Sequence, residues 1–95
     1  MKLAELRQKK PEIIKIANHY GVSDIMVFGS VARGDADENS DVDLLIELHK
    51  GSLFDLIGFK IDVENLLHKK VDVAQISAVK NPLRKRYMLE DAVPL

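Results

Sequence analysis

Five acids crowd the stretch from Phe28 to Ile46: Asp35, Asp37, Glu38, Asp41 and Asp43. The first three stand in Gly34–Ser40, a polar loop where solvated acids are ordinary. Asp41 and Asp43 differ, because they alternate with Val42 and Leu44 in what reads as a strand. Residues two apart on a strand share a face. The two carboxylates therefore project together, and Val42 and Leu44 turn the other way. Downstream, Asp72 lies between Val71 and Val73 in the same pattern. If these strands are neighbours, three carboxylates converge. At about 5 Å and an effective dielectric of about 20, each pair repels by roughly 3 kcal/mol, and three pairs by on the order of 10 kcal/mol. That is comparable with the stability of a whole domain, so such a cluster needs a proton or a cation. Carboxylate oxygens are hard ligands and select Mg²⁺ or Mn²⁺ over Zn²⁺.

Gly29-Ser30 stands upstream of these acids, at the end of an apolar run. Glycine lets a phosphate approach the backbone, and a following helical turn aims free N–H groups at it. Ser30 adds a hydroxyl donor. Arg33 can reach a phosphate or a carboxylate. A phosphate cradle beside a divalent-cation site suits phosphoryl or nucleotidyl transfer.

The elements that must position these groups follow from periodicity. Leu3, Leu6, Ile13, Ile14, Ile16 and Ala17 have helical spacing, interrupted at Pro11. That pattern predicts a short helix, then a second starting near Pro11 and ending at Gly21 as a left-handed cap. Asp24–Phe28 reads as a buried strand, Ser30–Arg33 as one helical turn, and Asp41–Leu48 as a second strand. Ser52 with Asp55 three residues on marks a helix start, and that helix is expected to reach about His68. Val71–Gln75 is a third strand. Asn81-Pro82 opens a basic helix from Leu83 to about Glu90. The order α-β-(turn)-β-α-β-α predicts one small mixed sheet with helices packed on it, an α/β (α+β) fold. A strand, a long helix and another strand suggest a parallel crossover for the last two strands.

The chain has 95 residues, enough for one compact domain spanning 1–95, and its 46% apolar content can supply a core. A net charge of −1 gives no long-range pull on nucleic acid or anionic membrane. Cysteine is absent, which excludes disulfides and thiolate chemistry. No apolar run is long enough to span a bilayer and no leader is visible, so a cytoplasmic location is expected. His19, His49 and His68 lack metal-site spacing.

Gly29-Ser30, ten residues, then Asp41-Val42-Asp43 fits the G-S-x10-D-x-D signature of the DNA polymerase β-like nucleotidyltransferase superfamily. The fuller runs, Phe28-Gly29-Ser30-Val31-Ala32-Arg33-Gly34 and Ser40-Asp41-Val42-Asp43-Leu44, resemble its short bacterial and archaeal branch, the minimal nucleotidyltransferases. The similarity in length and element order runs from end to end. The resemblance implies a nucleotidyltransferase-like fold in which Gly29 and Ser30 hold the triphosphate, Asp41 and Asp43 bind two Mg²⁺ ions, and Asp72 is the third acid. It implies transfer of AMP from ATP. It further implies an antitoxin whose partner is a helical HEPN-type ribonuclease toxin modified on a tyrosine. Arg33 is added as a nucleotide-binding candidate from its position alone.

Other readings of the same residues remain open. Asp35, Asp37, Asn39, Asp41 and Asp43 match five EF-hand positions, but Ser40 stands where glycine is needed and Ile46 where glutamate is. Asp62 and Glu64 mimic a D-x-D pair, yet residues two apart on a helix diverge by about 200°, so they read as surface charges. Arg33 could instead pair with Asp35 or Asp37. Lys80, Arg84, Lys85 and Arg86 read as a solvated helix face, with a role near the nucleotide or the partner as the alternative. Tyr20 and Tyr87 read as packing residues, with self-modification as the alternative. Beyond a transferase, the chain could be an antitoxin acting by occlusion or a nucleotide-sensing module. A homo-oligomer is compatible with all three.

Overall fold

The computed structural model describes residues 1–49 and 51–95. Helices α1 (Leu3–Gln8) and α2 (Lys10–Tyr20) are separated at Lys9, with Pro11 in the first turn of α2. There its missing N–H costs nothing. Gly21 closes α2 in the left-handed conformation, φ 71°, its N–H bound to the Ala17 carbonyl. Strand β1 (Val22–Phe28) follows directly, two residues earlier than periodicity suggested. Its early part carries a bulge between Ser23 and Met26, with Asp24 at φ 53°. The irregular start accounts for the strand reading as a buried run only from Asp24.

A five-residue helix α3 (Gly29–Arg33) leads through the loop to β2 (Val42–Leu48). Helix α4 (Leu53–Leu67) opens on the expected capping box: Phe54 N–H donates to Ser52 Oγ, and Ser52 N–H donates to Asp55 Oδ2 at 2.9 Å. Strand β3 (Val71–Gln75), a short 3₁₀ turn (Ile76–Ala78) and helix α5 (Pro82–Asp91) complete the expected order. One element was not anticipated. Val93–Pro94 forms a two-residue strand, β4, antiparallel to β1. A proline in so short a run gives no strand pattern in sequence. Its pairing is fixed from afar, by Arg7 Nη2 donating to the Pro94 carbonyl at 2.8 Å and by Leu95 N–H reaching the Ile25 carbonyl.

The sheet order is β3-β2-β1-β4, with β2 antiparallel to β1 and parallel to β3. The parallel crossover through α4 is as expected. Leu44 and Ile46 of β2 point into the core made with Leu6, Ile13, Phe59 and Val63. Asp43 and Leu45 take the other face by alternation. This sheet brings the end of β1 and the starts of β2 and β3 to one place. Phe28 pairs with Asp43, and Asp43 pairs with Asp72.

Candidate active site

Gly29 begins where β1 stops. It sits at φ 72°, in the left-handed region. A Cβ at this position would fall on the Asp43 carboxylate. Glycine is therefore required twice, by backbone conformation and by the acid behind it. Ser30 follows in the first turn of α3. Its carbonyl accepts from the N–H groups of Gly34 and Asp35, at 3.0 and 3.1 Å. Among the described residues its hydroxyl has no hydrogen-bond partner, so it is not used as a cap.

Asp43 is half-buried beside Asp72, which is exposed, and Asp41 precedes β2 by one residue. Burial pushes the Asp43 carboxyl above the ordinary carboxylate range, and the charges of Asp72 and Asp41 push it further. Arg33 pulls the other way. Among the described residues, no three acids or histidines close into a ready-made ligand cage. The Asp72 carboxylate, paired in register with Asp43, disfavours ionisation of Asp43.

A cleft of about 510 Å³ opens on this edge, lined by Phe28, Asp43, Asp72, Ala74, Arg84 and Met88 among others. That volume lies within the range of small-molecule sites, roughly 300–1,000 Å³. Arg84 was not among the site candidates, and it is exposed on the cleft edge. Read as part of a solvated basic face, it lines the same cleft as two of the acids. Its i, i+4 neighbour Met88 lines the cleft too, and no periodicity along α5 marked either residue.

Arg33 went the other way. Its Nε lies 3.3 Å from Asp35 Oδ2 and its Nη1 3.2 Å from Asp91 Oδ2. The Asp35 pairing was one of the two readings of this residue; the Asp91 pairing ties α3 to the end of α5. The loop acids are also more engaged than a solvated loop implies. Asp37 accepts from Asn39 N–H at 2.8 Å and from the Ser40 hydroxyl, and these bonds lower its pKa. Lys69 Nζ donates to the Glu38 carbonyl.

The chain is similar to known proteins over most of its length. The model of the family described as "Nucleotidyltransferase domain" matches residues 7–95. The chain belongs to this family. A chain of Methanocaldococcus jannaschii named "Putative protein adenylyltransferase MJ0435" is 39% identical over 94 residues, covering 98% of this chain and 97% of the relative. "Protein adenylyltransferase MntA" of Thermococcus cleftensis is 36% identical over 77 residues, with 80% and 78% covered. Among solved structures, "Structure of putative minimal nucleotidyltransferase" superposes with TM-score 0.85 at 34% identity, covering 100% of this chain and 97% of that one. "Crystal structure of the toxin-antitoxin with AMP-PNP" reaches TM-score 0.63 at 15% identity, with 85% and 82% covered, a likeness of fold alone. The chain is thus an enzyme of the nucleotidyltransferase family on the minimal form of its fold. None of its described helices is long and apolar enough to cross a membrane.

Proposed function

We propose that this nucleotidyltransferase moves AMP from ATP to a hydroxyl of a partner protein. The observation that carries the reading is the half-buried Asp43, pressed between Asp72 and Gly29 at the mouth of the cleft. A carboxyl held above its usual range by burial and neighbouring anions is relieved by a cation. The all-oxygen donor set of Asp41, Asp43 and Asp72 suits Mg²⁺, with Mn²⁺ as a substitute. When bound, the cation neutralises phosphate charge and draws electrons from the α-phosphorus.

The chain's own residues divide the remaining work. Gly29, lacking a side chain, lets the triphosphate come close to the backbone, and the free Ser30 hydroxyl donates to a phosphate oxygen. Asp72, exposed on the cleft, accepts the proton of the acceptor hydroxyl. The acceptor oxygen then forms its bond to the α-phosphorus as the bond to pyrophosphate breaks. Arg33 has a lesser part than its position suggested, because two carboxylates already hold its guanidinium. Its positive charge favours the ionised form of Asp43, and its pair with Asp91 links α3 to α5.

Protein as the acceptor class is supported by the names of the relatives, both protein adenylyltransferases. A toxin as partner is supported by the fold likeness to a toxin–antitoxin structure with AMP-PNP. The HEPN type of that partner and a tyrosine as target rest on the family resemblance of the Gly29-Ser30 and Asp41-Val42-Asp43 signature. The test is intact-mass spectrometry of the neighbouring gene's product after incubation with this protein, ATP and Mg²⁺. AMP transfer adds about 329 Da per site. No gain in mass, with neutralisation preserved by the Asp41→Asn, Asp43→Asn double variant, would leave a partner that is silenced by occlusion.

A further inference from the structure

Helix α4 is apolar on both sides. Phe59, Val63 and Leu67 on its inner side are buried in the core. Its exposed positions are Leu53, Phe54, Ile57, Ile61 and Asn65. The first four are 68%, 84%, 45% and 49% exposed. Spacings of three and four residues place Phe54, Ile57 and Ile61 in one row, with Leu53 beside Ile57. No exposed position of α4 is charged. The helix does carry charges, but Asp55, Lys60, Asp62 and Glu64 are all half-buried. Asp55 is held in the cap, Asp62 by the Tyr20 hydroxyl and Glu64 by the Val71 N–H. Helix α5 shows the ordinary arrangement, with exposed Leu83 and Tyr87 interleaved with exposed Arg84, Arg86 and Glu90. A helix that is apolar all round is normally covered all round.

The four side chains together expose roughly 450 Å², at about 150–250 Å² for a whole side chain of this size. About 300–600 Å² is the largest apolar patch a typical single chain shows, and such patches are often functional. One side of a standard protein interface buries about 800 Å², of which somewhat more than half is apolar. The stripe therefore supplies about the apolar area that one half of a stable dimer needs. Its place in the fold favours a second copy over an acceptor. Phe59 and Val63 pack in the core with Leu44 and Ile46, whereas Asp43 stands on the other face of the sheet. The outer face of α4 thus looks away from the cleft, and a protein modified at Asp43 approaches from the opposite side. A net charge of −1 leaves little repulsion between copies.

We propose that the outer face of α4 is the contact surface for a second copy of this chain, as an antiparallel pair of α4 helices about a two-fold axis near Ile57. Contacts across such an axis are reciprocal. Leu53 and Phe54 of each copy meet Ile61 of the other, and Ile57 meets its own counterpart. The centre of the contact is free of charge, and Lys60 stands at its margin, the usual division into apolar core and polar rim. Both stripes are buried, and both clefts stay open on the outer faces of the dimer. The inference does not depend on the chemistry assigned to the acids.

Sedimentation equilibrium of the full chain at about 50 μM, above the μM to pM range of interfaces this large, is expected to give twice the chain mass. Phe54→Ser is expected to weaken self-association by at least about tenfold. Ile57→Lys and Ile57→Glu each set like charges against one another at the axis, so each alone should sediment as a monomer. An equimolar mixture of the two should recover the dimer, because opposite charges then meet. Phe54 is exposed, so its replacement leaves the fold intact, which a circular-dichroism melt checks. If the Ile57 variants fail to fold, Phe54→Ser decides. A monomeric wild-type chain at this concentration would overturn the proposal. So would a dimer that Phe54→Ser leaves unchanged, which would place the contact elsewhere. Monomeric Ile57 variants that stay monomeric when mixed would overturn the two-fold arrangement. A monomeric chain that loses its protein partner on Phe54→Ser would overturn the proposal too, by giving the stripe to that partner.

Discussion

Two stretches of this chain carry nearly the same letters. Gly29-Ser30 precedes Asp41-Val42-Asp43 by ten residues, and Gly51-Ser52 precedes Asp62-Val63-Glu64 by nine. Their fates differ at every position. The Ser52 hydroxyl is spent as the N-cap of α4, whereas the Ser30 hydroxyl has no partner among the described residues. Gly29 is left-handed with an acid behind it. Gly51 has no such backbone, and a Cβ there would meet Leu48 and Asp55 at 3.2 and 3.3 Å. Asp62 and Glu64 diverge around α4, and each finds its own donor. The Tyr20 hydroxyl donates to Asp62 Oδ2 at 2.8 Å, and Val71 N–H donates to Glu64 Oε2 at 3.0 Å. They were read as surface charges and are structural acceptors instead. Asp43, on a strand, has Asp72 for a neighbour and gains repulsion. The same spacing gives satisfied acids on a helix and frustrated acids on a strand. Frustration of that kind is what a bound cation can relieve.

The sharpest way to break the comparison is to remove one acid from each copy. Asp43→Asn is expected to lower AMP transfer by at least about a hundredfold. Asp62→Asn should leave transfer within about twofold, since an amide oxygen still accepts from Tyr20. Intact-mass time courses on the acceptor protein measure both. Comparable losses from the two variants would mean that the helix pair shares in the chemistry.

The glycines give the next largest contrast. Gly29→Ala places a Cβ on the Asp43 carboxylate and forces a left-handed alanine, which costs about 1–2 kcal/mol from backbone strain alone. Stability in urea and transfer rate should fall together. Gly51→Ala should change neither beyond about 0.5 kcal/mol, because the side chains it meets can shift by a few tenths of an ångström. A harmless Gly29→Ala would show that the turn and the acid move apart freely.

Glu64→Ala tests the structural role of the second copy. It leaves the Val71 N–H at the start of β3 without its acceptor and should destabilise the fold by about 1–3 kcal/mol. Chemical denaturation at pH 7 reads this directly. Glu64→Gln keeps an acceptor and should recover most of the loss.

The smallest expected effect concerns pH. Asp43 ionises less readily in the folded chain than in the unfolded one, because of burial and then the charges of Asp72 and Asp41. Its ionised form opposes folding. That penalty is full above the raised folded pKa and vanishes below the unfolded one. In EDTA at neutral pH, Asp43→Asn should therefore melt a few degrees above the wild-type chain. The gain should shrink as the pH falls into the ordinary carboxylate range. Mg²⁺ should reverse the order by stabilising only the wild-type chain.

Much of this was legible in the residues. Alternation around Asp41 and Asp43, the Ser52–Asp55 capping box, the Gly21 cap and the divergence of Asp62 from Glu64 are all consequences of local geometry. The local rules span a turn of helix or a few residues of strand, and each could be applied without knowing the neighbours. The Gly29-Ser30 turn was legible for the same reason, though not the Asp43 carboxylate lying behind it.

Tertiary structure decided the remainder. Alignment of β2 with β3 placed Asp72 opposite Asp43. Packing of α5 gave Arg33 a partner 58 residues away and turned Arg84 toward the cleft. The addition of β4 depended on Arg7 at the far end of the chain. Residues distant in sequence meet only where buried apolar surfaces fix the relative placement of whole elements. The sequence alone could therefore determine which groups were equipped for nucleotidyl transfer, and only the fold could determine which of them meet at one edge of the sheet.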